Sequence, residues 1–167
     1  AMDRDTKHLQ EMIRRSHAHQ GTALLEIYQN CNIFNDGAFE LFTEKSSKAL
    51  STIFVEHGQP LIFGSEKNKG IRLDGTTPRI VELGGDMTTE DLWIHDEQDL
   101  YKAQILSRMF DSADQEGAFP RPFGVLYAIQ RPCYEEQLQE QVHTSIQQKG
   151  KGSLDALLAG KETWTVL

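Results

Sequence analysis

The front of this chain constrains its fold most: a helix-forming stretch, a glycine and a continuous apolar run follow one another. Asp5 to His19 carries Leu9, Met12 and Ile13 at spacings of three and four, with Asp5 placed to cap the first turn. Gly21 stops the helix, and Thr22 to Tyr28 is predicted to be a mostly buried strand. Helix, glycine and buried strand make the αβ half of a βαβ unit, so the chain is expected to hold the end of a parallel sheet. The strand before that helix is expected outside this sequence, which reads as cut from something longer. Ala1-Met2 reads as an expression remnant ahead of it.

The apolar run ends in Asn30-Cys31-Asn32-Ile33-Phe34-Asn35-Asp36-Gly37. Ligands of open α/β sheets lie beyond the carboxyl ends of the strands, so this polar loop is the first place to seek a site.

Further along, Ala38 to Leu50 is predicted as a short helix and Thr52 to Val55 as a strand. Pro60–Gly64 and Gly70–Leu73 bracket the polar run Ser65–Lys69, the pattern of a β-hairpin with a solvated tip. Arg79 to Leu83 and Leu92 to His95 are further strand candidates. Helices are expected over Leu100–Phe110, Tyr134–Lys149 and Leu154–Leu158, and a strand over Phe123–Ile129. The fold class is α/β: the end of a parallel αβ sheet, then a small mixed α+β region with a hairpin. A boundary is placed near Ser51, giving regions 1–50 and 51–167.

The 167 residues carry a formal charge of −8. That disfavours nucleic acid and anionic membrane as partners, since phosphate contacts need Lys and Arg. No run is long and apolar enough to span a membrane, and no signal peptide opens the chain. Two separated cysteines suit free thiols in a reducing cytoplasm better than a disulfide scaffold.

Each candidate site residue has a bland alternative. Cys31 fits a small buried thiol, a nucleophile or a metal ligand, and a [4Fe–4S] cluster needs four thiolates where this chain has two. Asn30, Asn32, Asn35 and Asp36 are turn formers that can also face a cofactor phosphate or its metal. His17 and His19 suit a helix C-terminus, and His57-Gly58 a turn before the hairpin. His95-Asp96-Glu97 suits a helix start and Cys133 a structural position.

These segments together resemble the late part of the β subunits of 2-oxoacid:ferredoxin oxidoreductases, most closely the 2-oxoglutarate type. The likeness rests on Leu25-Glu26-Ile27-Tyr28-Gln29-Asn30-Cys31-Asn32-Ile33-Phe34-Asn35, with its Cys-x-x-Phe-Asn loop. Val55-Glu56-His57-Gly58-Gln59-Pro60, Trp93-Ile94-His95-Asp96 and Ile129-Gln130-Arg131-Pro132-Cys133-Tyr134 extend it. The resemblance implies a thiamine-diphosphate-binding-type domain ending near residue 50, with the family's Gly-Asp-Gly motif and three cluster cysteines absent from this chain. It maps the fourth cluster cysteine onto Cys31 and leaves little of the cofactor cage in this chain, with Asn32, Asn35 and Asp36 as the candidates to face the cofactor. The implied activity is oxidative decarboxylation of a 2-oxoacid to an acyl-coenzyme A, with electrons passed through a [4Fe–4S] cluster to ferredoxin. The implied cofactors of the full enzyme are thiamine diphosphate, Mg²⁺ and that cluster, with none expected on the fragment alone, which is expected to be inactive. The implied partners are the N-terminal part of the subunit, an α subunit, ferredoxin, coenzyme A and the 2-oxoacid. A cut sheet edge at residues 22–28 adds self-association as an expectation. The rival reading is a non-catalytic assembly module with Cys31 a buried structural thiol.

Overall fold

A computed structural model describes residues 1–109, 118–161 and Trp164. The chain divides into two compact units, Ala1–His19 with Ala23–Ile129, and Gln20–Thr22 with Gln130–Leu167.

The first unit begins with helix α1, Thr6–Ala18, where the Asp5 carboxylate accepts the His8 N–H at 3.3 Å and Met12 is buried. The strand expected over Thr22–Tyr28 does not form. That segment is largely exposed, Leu24 at 95%, and its one sheet-like contact is a parallel bridge between Met2 and Tyr28. The reason is partnership. An apolar run holds an extended ladder only where a neighbour pairs along its length, and among the described residues only Ala1–Asp3 exchanges backbone hydrogen bonds with it. Met2 is no idle remnant, being 1% exposed in a core cluster.

The single helix expected over Ala38–Leu50 is two short ones, α2 at Glu40–Thr43 and α3 at Lys48–Ser51. Glu44 turns to extended backbone between them, and the serines that follow favour turns over helix. Strand β1, Thr52–Val55, forms as expected. Strands β2 (Ile62–Phe63), β3 (Lys69–Asp74) and β4 (Thr77–Glu82) make an antiparallel sheet in that order. The Ser65–Asn68 tip is exposed as expected. A two-residue loop, Gly75-Thr76, joins β3 to β4, with Gly75 at φ +63° as such turns demand.

Leu92–His95 forms no strand, only a bridge from Ile94 to Pro60, yet its backbone is tied in. Trp93 N–H donates to Ile71 O at 2.8 Å and His95 N–H to Gln59 O at 2.9 Å. Helix α4 spans Leu100–Ser107, capped by the Asp99 carboxylate; Phe110, expected in it, lies outside the described residues.

Strand β5 is Arg121–Gly124, earlier than the expected Phe123–Ile129. It stops at Gly124, whose φ of +136° leaves the β region. Among the described residues it pairs in parallel with β1 alone, Thr52 opposite Arg121 and Val55 opposite Gly124, so Pro122 sits on an edge strand where proline is tolerated. The β1–β5 pair separates two cores. Ile53 and Val55 join Leu61, Phe63, Ile71, Trp93, Leu106 and Met109, while Phe123 joins Met2 and Phe42. The mixed α/β class expected from sequence is thus realised, its parallel element being β1–β5.

The second unit carries α5, Tyr134–Lys149, and α6, Leu154–Ala159. Neither has a buried residue. Glu136 accepts the Cys133 N–H at 3.1 Å and Gly150, at φ +80°, closes α5. No described helix is long and apolar enough to cross a membrane.

Candidate functional site

Tyr28 anchors the cysteine loop. Its N–H donates to Ala1 O at 2.9 Å, and its carbonyl accepts from Asp3 N–H at 3.0 Å. Its ring stacks on Phe39 at 4.6 Å between centroids and meets Phe123 edge-on at 5.4 Å. Its hydroxyl takes a 2.6 Å hydrogen bond from Arg121, on β5. The loop that follows is therefore fixed at its base to the smaller core.

Asn30 organises the loop itself. Its amide nitrogen donates to Asn32 Oδ1 at 2.8 Å and Asp36 Oδ1 at 2.9 Å, and its Oδ1 accepts the Gly37 N–H at 2.9 Å. Gly37, at φ +76°, lets the chain turn out of the loop. One residue thus draws Asn32 and Asp36 together, while Asn35 closes the turn through its N–H to Cys31 O at 2.9 Å. Asn30, read from sequence as a turn former or a group facing a cofactor, is the keystone. Its place two residues before Asn32 and ahead of an Asp-Gly pair is the signal that points to it.

Cys31 is a free, partly exposed thiol, outside both buried core clusters. The backbone N–H groups of Phe34, Ile33 and Asn35 bond to it and hold its thiol below the ordinary cysteine range. Ile33 and Phe34, on the loop's outer turn, are 83% and 89% exposed. Beside the loop, Asp3, Arg4, Asn30, Asn32, Asp36 and Glu40 border a concavity of about 190 Å³.

Iron–sulfur clusters are held by cysteine thiolates whose sulfurs accept N–H bonds, and backbone N–H groups surround the sulfur of Cys31. That residue supplies one ligand only. Among the described residues no group of three or more His, Cys, Asp and Glu side chains is placed to hold a metal ion.

The other sequence candidates lie elsewhere. His17 sits in the last turn of α1. His95-Asp96-Glu97 does not open α4, which starts after Asp99. His95 is 1% exposed and bonds Val125 O through Nε2 at 2.8 Å. Glu97 is gripped by Arg15 at 2.9 and 2.6 Å, a bidentate pair joining α1 to this segment. The His57 ring nitrogen accepts the Glu97 N–H at 3.2 Å. Nothing near Arg15 in sequence announces a partner 82 positions away.

No protein-family model matches the chain, and no solved structure matches it. It is 32% identical over 170 aligned residues to the 2-oxoglutarate oxidoreductase subunit KorB of Mycobacterium tuberculosis strain H37Rv. The match takes in 99% of this chain and 44% of that protein, so the chain spans under half the length of its curated relative. Over nearly all its length, then, this chain is similar to a C-terminal portion of that 2-oxoglutarate oxidoreductase subunit, the kind of protein its sequence resembles.

Proposed function

We propose that the chain serves as the C-terminal portion of the β subunit in a 2-oxoglutarate:ferredoxin oxidoreductase, with Cys31 as one of four ligands to a [4Fe–4S] cluster. The 32% identity across 99% of the chain carries this reading. The N–H groups bonded to the Cys31 sulfur support the ligand role. The cluster, when bound, would carry electrons singly from the oxidised 2-oxoacid toward ferredoxin, with coenzyme A accepting the acyl group. This chain's share is to hold the thiolate and tune its surroundings. The exposed Ile33 and Phe34 flank Cys31 and suit a face that excludes water once covered.

In this reading residues 1–50 end the cofactor-binding domain and 51–167 form the subunit's C-terminal region. Asn32, Asn35 and Asp36 face thiamine diphosphate or its Mg²⁺. Asn32 and Asp36 each accept one hydrogen bond from the Asn30 amide nitrogen, leaving their remaining lone pairs for a ligand. The N-terminal part of the subunit supplies the other three cysteines, an α subunit completes the complex, and the piece alone is inactive.

The test is iron and sulfide reconstitution of the full-length subunit with and without Cys31→Ala. The expected outcome is a broad visible absorption that weakens or vanishes in the variant. A cluster of unchanged yield and stability in the variant removes Cys31 from the ligand set.

A further inference from the structure

Helix α5 shows an apolar stripe that no described residue buries. Leu138, Val142 and Ile146 recur every four residues and are 44%, 51% and 42% exposed. At 100° per residue, Glu135 and Lys149 fall on the same face, one at each end of the stripe. The face is therefore acidic at its start, apolar through its middle and basic at its finish.

That order selects the occupant. Laid antiparallel on a copy of itself about a two-fold axis through Val142, the helix sets Leu138 opposite Ile146 and Val142 opposite Val142. The same register sets Glu135 opposite Lys149 at both ends. A parallel pairing in register would instead set Glu135 against Glu135 and Lys149 against Lys149. We propose that α5 is a dimerisation element, pairing antiparallel with the α5 of a second copy of this chain. Each repeated contact follows from an isologous two-fold interface, where residue i meets j and j meets i. The apolar stripe supplies attraction and the end charges supply direction. This inference stands apart from the oxidoreductase reading and from any pairing at residues 22–28.

The experiment is sedimentation equilibrium of the full chain over a range of concentrations, beside three variants checked by circular dichroism for retained helix. The wild type should dimerise reversibly. Val142→Glu, which brings two carboxylates to the axis, should weaken the dimer by about 100-fold or more. Glu135→Lys and Lys149→Glu should each weaken it, and the two together should restore it. A chain monomeric at all concentrations overturns the proposal, as does a dimer indifferent to Val142→Glu or a charge swap without rescue. Oxidation of Val142→Cys in a background lacking Cys31 and Cys133 should give a covalent dimer, and failure to cross-link when dimer is present also overturns it.

Discussion

Asp5 does two jobs with one carboxylate: it caps α1 through the His8 N–H and pairs with Lys48 at 3.2 Å. Burial pushes its carboxyl up, but the Lys48 ammonium and the His8 N–H outweigh that and hold it below the usual carboxylate range. A depressed folded value means stability that is present above the unfolded value and lost as pH falls through the folded one. Asp5→Ala should therefore cost about 1 kcal/mol at neutral pH. The deficit should shrink once pH drops below about 4. Urea unfolding of both proteins at neutral and strongly acidic pH checks this, and an equal deficit at both would assign the loss to something other than the charge. This cap was legible in sequence because it is local. The cysteine loop was legible for the same reason, as Asn, Asp and Gly advertise a turn. The Arg15–Glu97 pair was not, since nothing nearby in the sequence encodes it.

Some elements stabilised by their own neighbours match their sequence reading, while residues 22–28 and β5, which depend on a distant partner, depart from it. α5 runs over the expected residues because its caps, Glu136 and Gly150, lie at its own ends. The hairpin of β2 and β3 likewise follows from its own turn. Residues 22–28 have the apolar content of a buried strand but no neighbour to pair with along their length, so composition alone misleads. β5 was misplaced because its pairing with β1, not its own hydrophobicity, sets its bounds. Gly124 marks that bound: a Cβ there would stand 2.4 Å from Val55 O, at φ +136°. Gly124→Ala should destabilise the chain by about 3 kcal/mol, from backbone strain and the steric clash together. Chemical denaturation gives the number, and a change under about 0.5 kcal/mol, ordinary for an exposed surface site, would refute the close approach.

At the scale of the molecule, burial is confined to the first unit. Both core clusters lie there, and among the described residues none after Phe123 is buried. α5 and α6 therefore add little to the folding free energy of a single chain. A chain ending at Ile129 should unfold cooperatively within about 1 kcal/mol of the full one, compared at concentrations where both are monomeric. A loss of several kcal/mol in thermal or urea unfolding would show that the second unit supports the first.

The parallel β1–β5 pair has a kinetic consequence. Thr52 meets Arg121 only after the whole hairpin sheet and α4 have been looped out between them. Closing so long a loop costs entropy before any contact repays it, whereas β3 and β4 close across two residues. The antiparallel sheet should assemble early and the β1–β5 seam late, on the native side of the folding barrier. Gly124→Ala should then accelerate unfolding and leave the refolding rate almost unchanged. The slow closing of that seam, rather than the hairpin's formation, would set when the smaller core around Phe123, and the cysteine loop anchored on it, takes shape.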